Sequence, residues 1–260
     1  MAELDKVILK DRIFLEYINN KCYNKQSKGC VIKMKALSII DRYVFFANFE
    51  KIVTEDIPTL VKLYDGAKMT QRQEPTPQGP ITVTSFALKN TAITFRKNRM
   101  DIEFANNPTL PESSLDFAVE QFAKLKQTYP DLAGNRISYI GTSFIPNQQN
   151  EPLMDLVDNL GLSAAFGEST EFNFRLNSPV VISREKCNAV LTVQPGNVQN
   201  QKKQNIPAII CINDINTLAT DTTNRFELDD LKEIFTGMLN KAVEKNEKVL
   251  ALIEDATIAS

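Results

Sequence analysis

Between residues 31 and 49 the chain is dense in β-branched and aromatic side chains, broken at Asp41-Arg42, and the pattern predicts two strands. Residues 56–68 predict a short helix with Pro58 in its first turn. Residues 81–88 alternate apolar with small polar positions, as a half-buried strand does. Residues 91–96 and 100–105 predict a hairpin over Lys97-Asn98-Arg99. A helix follows, capped by Ser113 with Asp116 three residues on, because Leu115, Ala118, Val119, Phe122 and Leu125 recur at helical spacing. Pro130 closes it. Residues 136–145 predict a strand, and residues 153–160 a short helix stopped by Gly161.

The second half restates this order. Residues 171–176, 180–183, 187–193 and 206–212 read as strands, and a polar stretch at 213–224 leads into the longest helix, at 227–253. Strand, strand, polar link and helix occur at 91–127 and again at 187–247. That spacing suits a diverged internal duplication, although residue identities do not support one. The first twenty residues carry two apolar triplets, Val7-Ile8-Leu9 and Ile13-Phe14-Leu15, which fit one helix or two strands. The strongest break is at 71–80, where three prolines and a glycine cannot continue a helix or a central strand. It marks either a boundary between a small N-terminal α/β unit at 1–70 and a main body at 81–260, or a long surface loop inside one domain. The fold class expected is α+β, a mainly antiparallel sheet covered by two long helices.

The run Met100-Asp101-Ile102-Glu103-Phe104, the capped helix after it and Arg136-Ile137-Ser138-Tyr139-Ile140 form one part of a resemblance. Residues 208–214, the polar link and the helix over 228–245 form the other. Together they resemble an uncharacterised, sporadically distributed bacterial α+β family over residues 81–253. The resemblance implies this architecture and carries no activity, cofactor or site residue.

Composition narrows the function classes. Apolar residues make up 43% and charged residues 24%, near the averages of soluble globular proteins. With 30 basic and 32 acidic residues the formal charge is −2, which argues against a nucleic-acid coat, a polybasic membrane anchor or an acidic tail. Histidine is absent, which removes histidine triads, histidine metal ligands and a histidine pH switch. No apolar run approaches the ~18–20 residues that span a bilayer, and the acidic start Met1-Ala2-Glu3 does not resemble a signal peptide. The four cysteines, Cys22, Cys30, Cys187 and Cys211, are too sparse for a disulfide scaffold. The expectation is a cytoplasmic protein with reduced thiols and no membrane contact.

Searching for chemistry yields little. The nine glycines form neither G-x-G-x-x-G nor a Walker A loop. Ser183-Arg184-Glu185-Lys186 matches the bare S-x-x-K pattern, but it lies between two strand-like runs, reads as a solvated turn and lacks the companion motifs. The cysteine spacings suit no zinc site, and Cys187 and Cys211 read as buried, inert thiols. Asn213, Asp214, Asn216, Asp221 and Asn224 form an oxygen-rich stretch without the calcium-loop ligand pattern, so loop chemistry accounts for them. Glu227, Asp229, Asp230 and Glu233 suit a helix start. Asp101 and Glu103 fall on one side of a strand, where an exposed sheet face needs polar residues. No catalytic constellation, metal site or cofactor is implied, and the balance leans away from an enzyme.

Two interaction signals remain. Leu228, Phe235, Ala242 and Val249 recur every seven residues, with Leu231, Met238 and Leu252 at the second core position and Lys245 breaking the row. The helix packs on the protein's own sheet in its first half, and from Ala242 onward it is expected to extend beyond the body. Leu231, Phe235, Met238, Val249 and Leu252 are therefore candidate contacts to a protein partner or a second copy. The function expected first is a non-enzymatic binding or assembly protein of a bacterial or phage system. The alternative is a nucleic-acid-binding module using Arg96, Lys97 and Arg99 at the hairpin tip with Lys202 and Lys203 in an Asn/Gln-rich loop. A hydrolase built on carboxylates and a metal ranks last.

Overall fold

The structure, a computed structural model, describes residues 36–106, 113–146, 173–199 and 205–259. In chain order the elements are β1 (Leu37–Phe46), α1 (Glu50–Thr54), α2 (Ile57–Leu63), β2 (Lys68–Glu74), β3 (Ile81–Ala87), β4 (Thr91–Arg96), β5 (Arg99–Ala105), α3 (Ser114–Thr128), β6 (Ala133–Gly134), β7 (Arg136–Pro146), β8 (Phe174–Ile182), β9 (Glu185–Gln199), β10 (Asn205–Thr217), β11 (Phe226–Glu227) and α4 (Leu231–Ala259). Nine strands form one sheet in the order β2-β3-β4-β5-β1-β7-β10-β9-β8, and every neighbouring pair is antiparallel. Short β6 and β11 pair separately. The fold is α+β, as expected.

Strand order reads outward from the β1–β7 pair as β5, β4, β3, β2 on one side and β10, β9, β8 on the other. At that central pair Tyr43 faces Tyr139 in register. The described helices pack on one face of the sheet, the one formed by side chains at alternate strand positions. On that face Tyr43, Phe45, Phe86, Phe95, Met100 and Ile102 meet Leu60 and Tyr64 of the α1–α2 region, Phe122 of α3 and Phe235 of α4. Phe122 stacks on Phe235 with ring centroids 5.8 Å apart and an interplanar angle of 9°, and Tyr43 meets the edge of Phe235 at 5.2 Å. Aromatic pairs of this kind add roughly 0.5–1.5 kcal/mol beyond the area they bury.

Asp41 is the polar centre of this face. Its carboxylate is 4% exposed and accepts from Tyr139 Oη at 2.6 Å, Ser114 Oγ at 2.6 Å, Asn106 Nδ2 at 2.8 Å and Ser38 Oγ at 3.3 Å. Tyr43 Oη lies 2.9 Å from Ser114 Oγ; since Ser114 donates to Asp41, Tyr43 donates to Ser114. Burial raises both phenols well above the usual tyrosine range, with the Asp41 charge adding to it, so they remain donors. Gly141 faces Asp41 on β7, and a Cβ there would stand 2.4 Å from Tyr139 Oη. Glycine leaves the path that lets the phenol reach the carboxylate.

Several sequence expectations change. Asp41-Arg42 does not break a strand: Asp41 is satisfied inside, Arg42 pairs outward with Glu103, and β1 runs through both. Residues 71–80 do not separate two sheets; β2 continues to Glu74, and a turn joins it to β3 in the same sheet as β1. A polar strand with nearly every residue exposed carries no hydrophobic period to read. Likewise β10 continues through Asn213, Asp214 and Asn216, which the sequence places in a loop. Ser113 caps α3 as expected, accepting from the Asp116 N–H. The helix at 153–160 lies outside the described residues.

Removing one donor from Asp41 leaves a buried carboxylate short of a hydrogen bond, a loss of about 1–3 kcal/mol. Tyr139→Phe should lower the unfolding free energy from urea titration by that amount and the midpoint with it, and Gly141→Ala, which displaces the same phenol, should also lower both. Equal midpoints for wild type and Tyr139→Phe would show that the network contributes no stability.

Candidate functional site

The sheet face away from the helices carries the site. At one end of it Arg72 (β2), Arg96 (β4), Arg99 (β5) and Arg136 (β7) lie on the same side of the sheet. Register places Arg96 opposite Arg99 and Phe46 opposite Arg136. Glu74 links Arg72 (2.7 Å) to Arg96 (3.2 Å), and Asp101 links Arg96 (2.5 Å) to Arg99 (3.2 Å). Hydrogen bonds from Arg96 and then Arg72 hold the Glu74 carboxyl below its usual range, so it remains ionised. The row sets four guanidinium groups against two carboxylates.

Arg136 is the uncompensated member. Its guanidinium lies 4.8 Å above the Phe46 ring and donates to Asn216 Oδ1 at 3.2 Å. Among the described residues it has no carboxylate partner, and its buried Nε–H has no acceptor. Cation–π contact with Phe46 holds the charge in place without neutralising it.

Beside the row is an open cleft of about 370 Å³ lined by Phe46, Ala47, Asn48, Glu50, Lys97, Asn98, Asn135 and Asn224, with Glu50 its one carboxylate. Two backbone hydrogen bonds and one side-chain bond hold its walls: Phe49 N donates to Lys97 O at 2.8 Å, Asn135 N to Phe46 O at 3.0 Å, and the Arg225 guanidinium Nη1 to Asn135 O at 2.6 Å. Four separate stretches of chain thus converge on four asparagines. Asn48 accepts from the Glu50 N–H at 3.0 Å, while Asn98 and Asn224 are exposed at the rim.

The residues singled out from the sequence divide unevenly. Arg96, Lys97 and Arg99 do lie together, but each has an acidic neighbour, Lys97 reaching Glu50 at 2.6 Å. Arg99 is paired within β5 rather than at the turn, which is Lys97-Asn98. Lys202 and Lys203 lie outside the described residues. On α4, Leu231, Phe235 and Met238 are in the main core, and Val249 packs with Ile253 against Ile145, Leu191, Val193, Ile209 and Cys211. The apolar spacing of this helix therefore serves its own sheet as far as Ile253, and the expected extension beyond the body from Ala242 does not occur over that stretch. Of the five proposed contacts only Leu252 is exposed, at 54%. Burial, then the nearby Lys241 and Lys248, lowers the pKa of Lys245, which interrupts the row.

The remaining candidates settle into structural positions. Ser183 and Arg184 form a two-residue turn between β8 and β9, with φ of 47° and 71°, as a type I′ hairpin requires. Asn213 faces α4, where its amide donates to Asn246 at 2.8 Å, while Asp214 lies on the opposite face. Alternation thus divides the oxygen-rich stretch, and the described residues hold no group of three potential metal ligands. Asp101 and Glu103 share the open face, and both pair with arginines. Arg72, Arg136, Asn48 and Asn135 escaped sequence reasoning because they lie far apart in the chain, while Asn98 and Asn224 read there only as parts of a hairpin tip and an oxygen-rich loop. Among the described residues no helix is long and apolar enough to cross a membrane.

Cys187 and Cys211 are both buried. Burial pushes the Cys187 thiol up to about 11, with Glu185 adding to it, and the Cys211 thiol up to about 12. In a Cys22→Ser/Cys30→Ser variant, neither thiol should react with an aromatic disulfide reagent at pH 8 until denaturant unfolds the chain, when both should. Stoichiometric reaction of the folded variant within minutes would contradict this burial. No family model matches the chain, and no curated protein matches it.

Proposed function

We propose that the protein is a non-enzymatic binding protein whose open sheet face takes an anionic polymer, single-stranded nucleic acid first. The arginine row carries this reading. Guanidinium groups present a planar fork of donors suited to phosphate oxygens. Adjacent strands step about 4.8 Å across a sheet, so the row offers charges repeatedly along a line rather than at one point. Half-buried Phe46 lies within the row, and a single strand, unlike a duplex, can turn a base face onto an aromatic ring. A formal charge of −2 makes the attraction local to this end of the molecule. The similar strand order on either side of the β1–β7 pair, with β2 as an extra edge strand on one side, and the facing Tyr43 and Tyr139 support reading the two halves as diverged copies of one unit, with their shared sheet as the binding platform.

Binding of a fluorescent single-stranded 12-mer should weaken steeply with salt. The slope of log K against log salt should be near −2 if about three phosphates are neutralised at ~0.7 each. Arg136→Ala should weaken binding several-fold and make that slope shallower by about one contact. A salt-insensitive signal, or none at 20 mM salt, would sink the reading.

A second reading, assembly through contacts with another copy, is favoured by β8. This terminal strand exposes Phe174 (39%), Leu176 (45%) and Val181 (70%), whereas the opposite edge, β2, is lined with charged and amide side chains. Polar and charged edges resist edge-to-edge pairing, and apolar ones invite it. Light scattering on a size-exclusion column should then show a dimer that Leu176→Lys/Val181→Lys converts to monomer. A wild-type monomer at 100 µM on the order of loading used for weak dimers would remove this reading.

A further inference from the structure

The asparagine cleft at the end of the arginine row carries side-chain amides that the fold leaves largely unused, and the geometry points to a nucleotide-unit site there, one base seated against Phe46 and read by asparagine amides. Its position rests on the reading of the row as a phosphate track. A volume of about 370 Å³ accommodates a single base with its sugar. The lining chemistry matches a base better than it matches a peptide side chain or a metal. Each asparagine amide offers acceptor and donor together, the complement of the mixed edges that bases present. Among the described residues Asn98, Asn135 and Asn224 have no side-chain hydrogen-bond partner, and Asn48 uses only its oxygen. Three unused amides and the free nitrogen of a fourth surround one opening.

Phe46 contributes the stacking surface. It belongs to both the row and the cleft, so a chain lying along the arginines would pass its last base into the opening. Lys97 at the rim is paired with Glu50 at 2.6 Å and would exchange that carboxylate for the phosphate of the seated unit. The side chains that form the site come from the end of β1, the β4–β5 turn, the residue before β7 and the approach to β11, all tied by the backbone bonds above. The cleft is therefore built before any ligand arrives. A nucleotide could reach it as a unit of a strand or as a free molecule, and the two sources share this chemistry.

The test compares a single-stranded DNA 12-mer with the same backbone made abasic, by fluorescence anisotropy, and adds free nucleoside monophosphates by ligand-observed NMR. The wild type should bind the base-bearing strand about tenfold more tightly than the abasic one, as stacking of one base suggests. Asn98→Ala/Asn224→Ala removes two exposed amides that hold nothing in the fold. It should reduce the base-bearing strand to the abasic affinity while leaving abasic binding, its salt slope and the thermal midpoint unchanged. Equal binding of the two strands by wild type overturns the cleft and leaves the arginine row standing. Loss of both strands with retained, Asn98- and Asn224-dependent binding of free monophosphates overturns the row and assigns the cleft to a free nucleotide. Absence of strand and monophosphate binding overturns both.

Discussion

A charged carboxylate in the middle of a sheet is the constraint on which this molecule depends. Burying an uncompensated ion costs several kcal/mol even after relaxation, so Asp41 can occupy its position only if donors converge on it. They come from β1 itself, from the end of β5, from the first turn of α3 and from β7, across separations of 65, 73 and 98 residues. Each donor places one element. Tyr139 sets β7 beside β1, Ser114 sets the start of α3 over the strand, and Asn106 holds the end of β5. The central pair of the sheet and the helix above it are thus specified by a single polar group.

Around that anchor the apolar core is aromatic and continuous. Phe235 touches Tyr43 from the sheet and Phe122 from α3, so α4 is located by the same central pair that Asp41 organises. This explains why an apolar row at near-heptad spacing on α4 is consumed internally. A long helix laid along a twisted sheet needs a stripe that recurs every three to four residues, and over a few turns this coincides with the spacing of a coiled-coil seam. The same packing carries the helix past Ala242 to a second cluster at Val249 and Ile253.

The opposite face follows a different logic. With the described helices gathered on one side, the end of the other side that carries the arginines meets water, and polar and charged pairs provide for this: Arg42 with Glu103, Ser138 with Asp214, and the alternating chain from Arg72 to Arg99, whereas Phe144, Val198 and Ala208 are buried together farther along the sheet. Charge balance is local along most of that chain. It fails at Arg136, where an aromatic ring and an amide take the place of a carboxylate, and the asparagine cleft opens beside this same residue. An excess cation, an aromatic surface and unspent amides coincide at one end of an otherwise balanced face.

Features legible in the sequence were those whose cause is local. The Ser113 cap, the β4–β5 hairpin, the stripe of α3 and the buried character of Cys187 and Cys211 each follow from a few neighbouring residues, and with them the α+β class. The polar strand β2 and the polar end of β10 were not legible, because a period of two appears only where one face is dry and the other wet. Asp41 read as a strand break, since nothing near it in sequence reveals the donors that satisfy it. The arginine row and the asparagine cleft belong wholly to the tertiary structure. Which side chains share a row depends on strand register, and register is decided by partners far away in the chain and by the face each strand must bury.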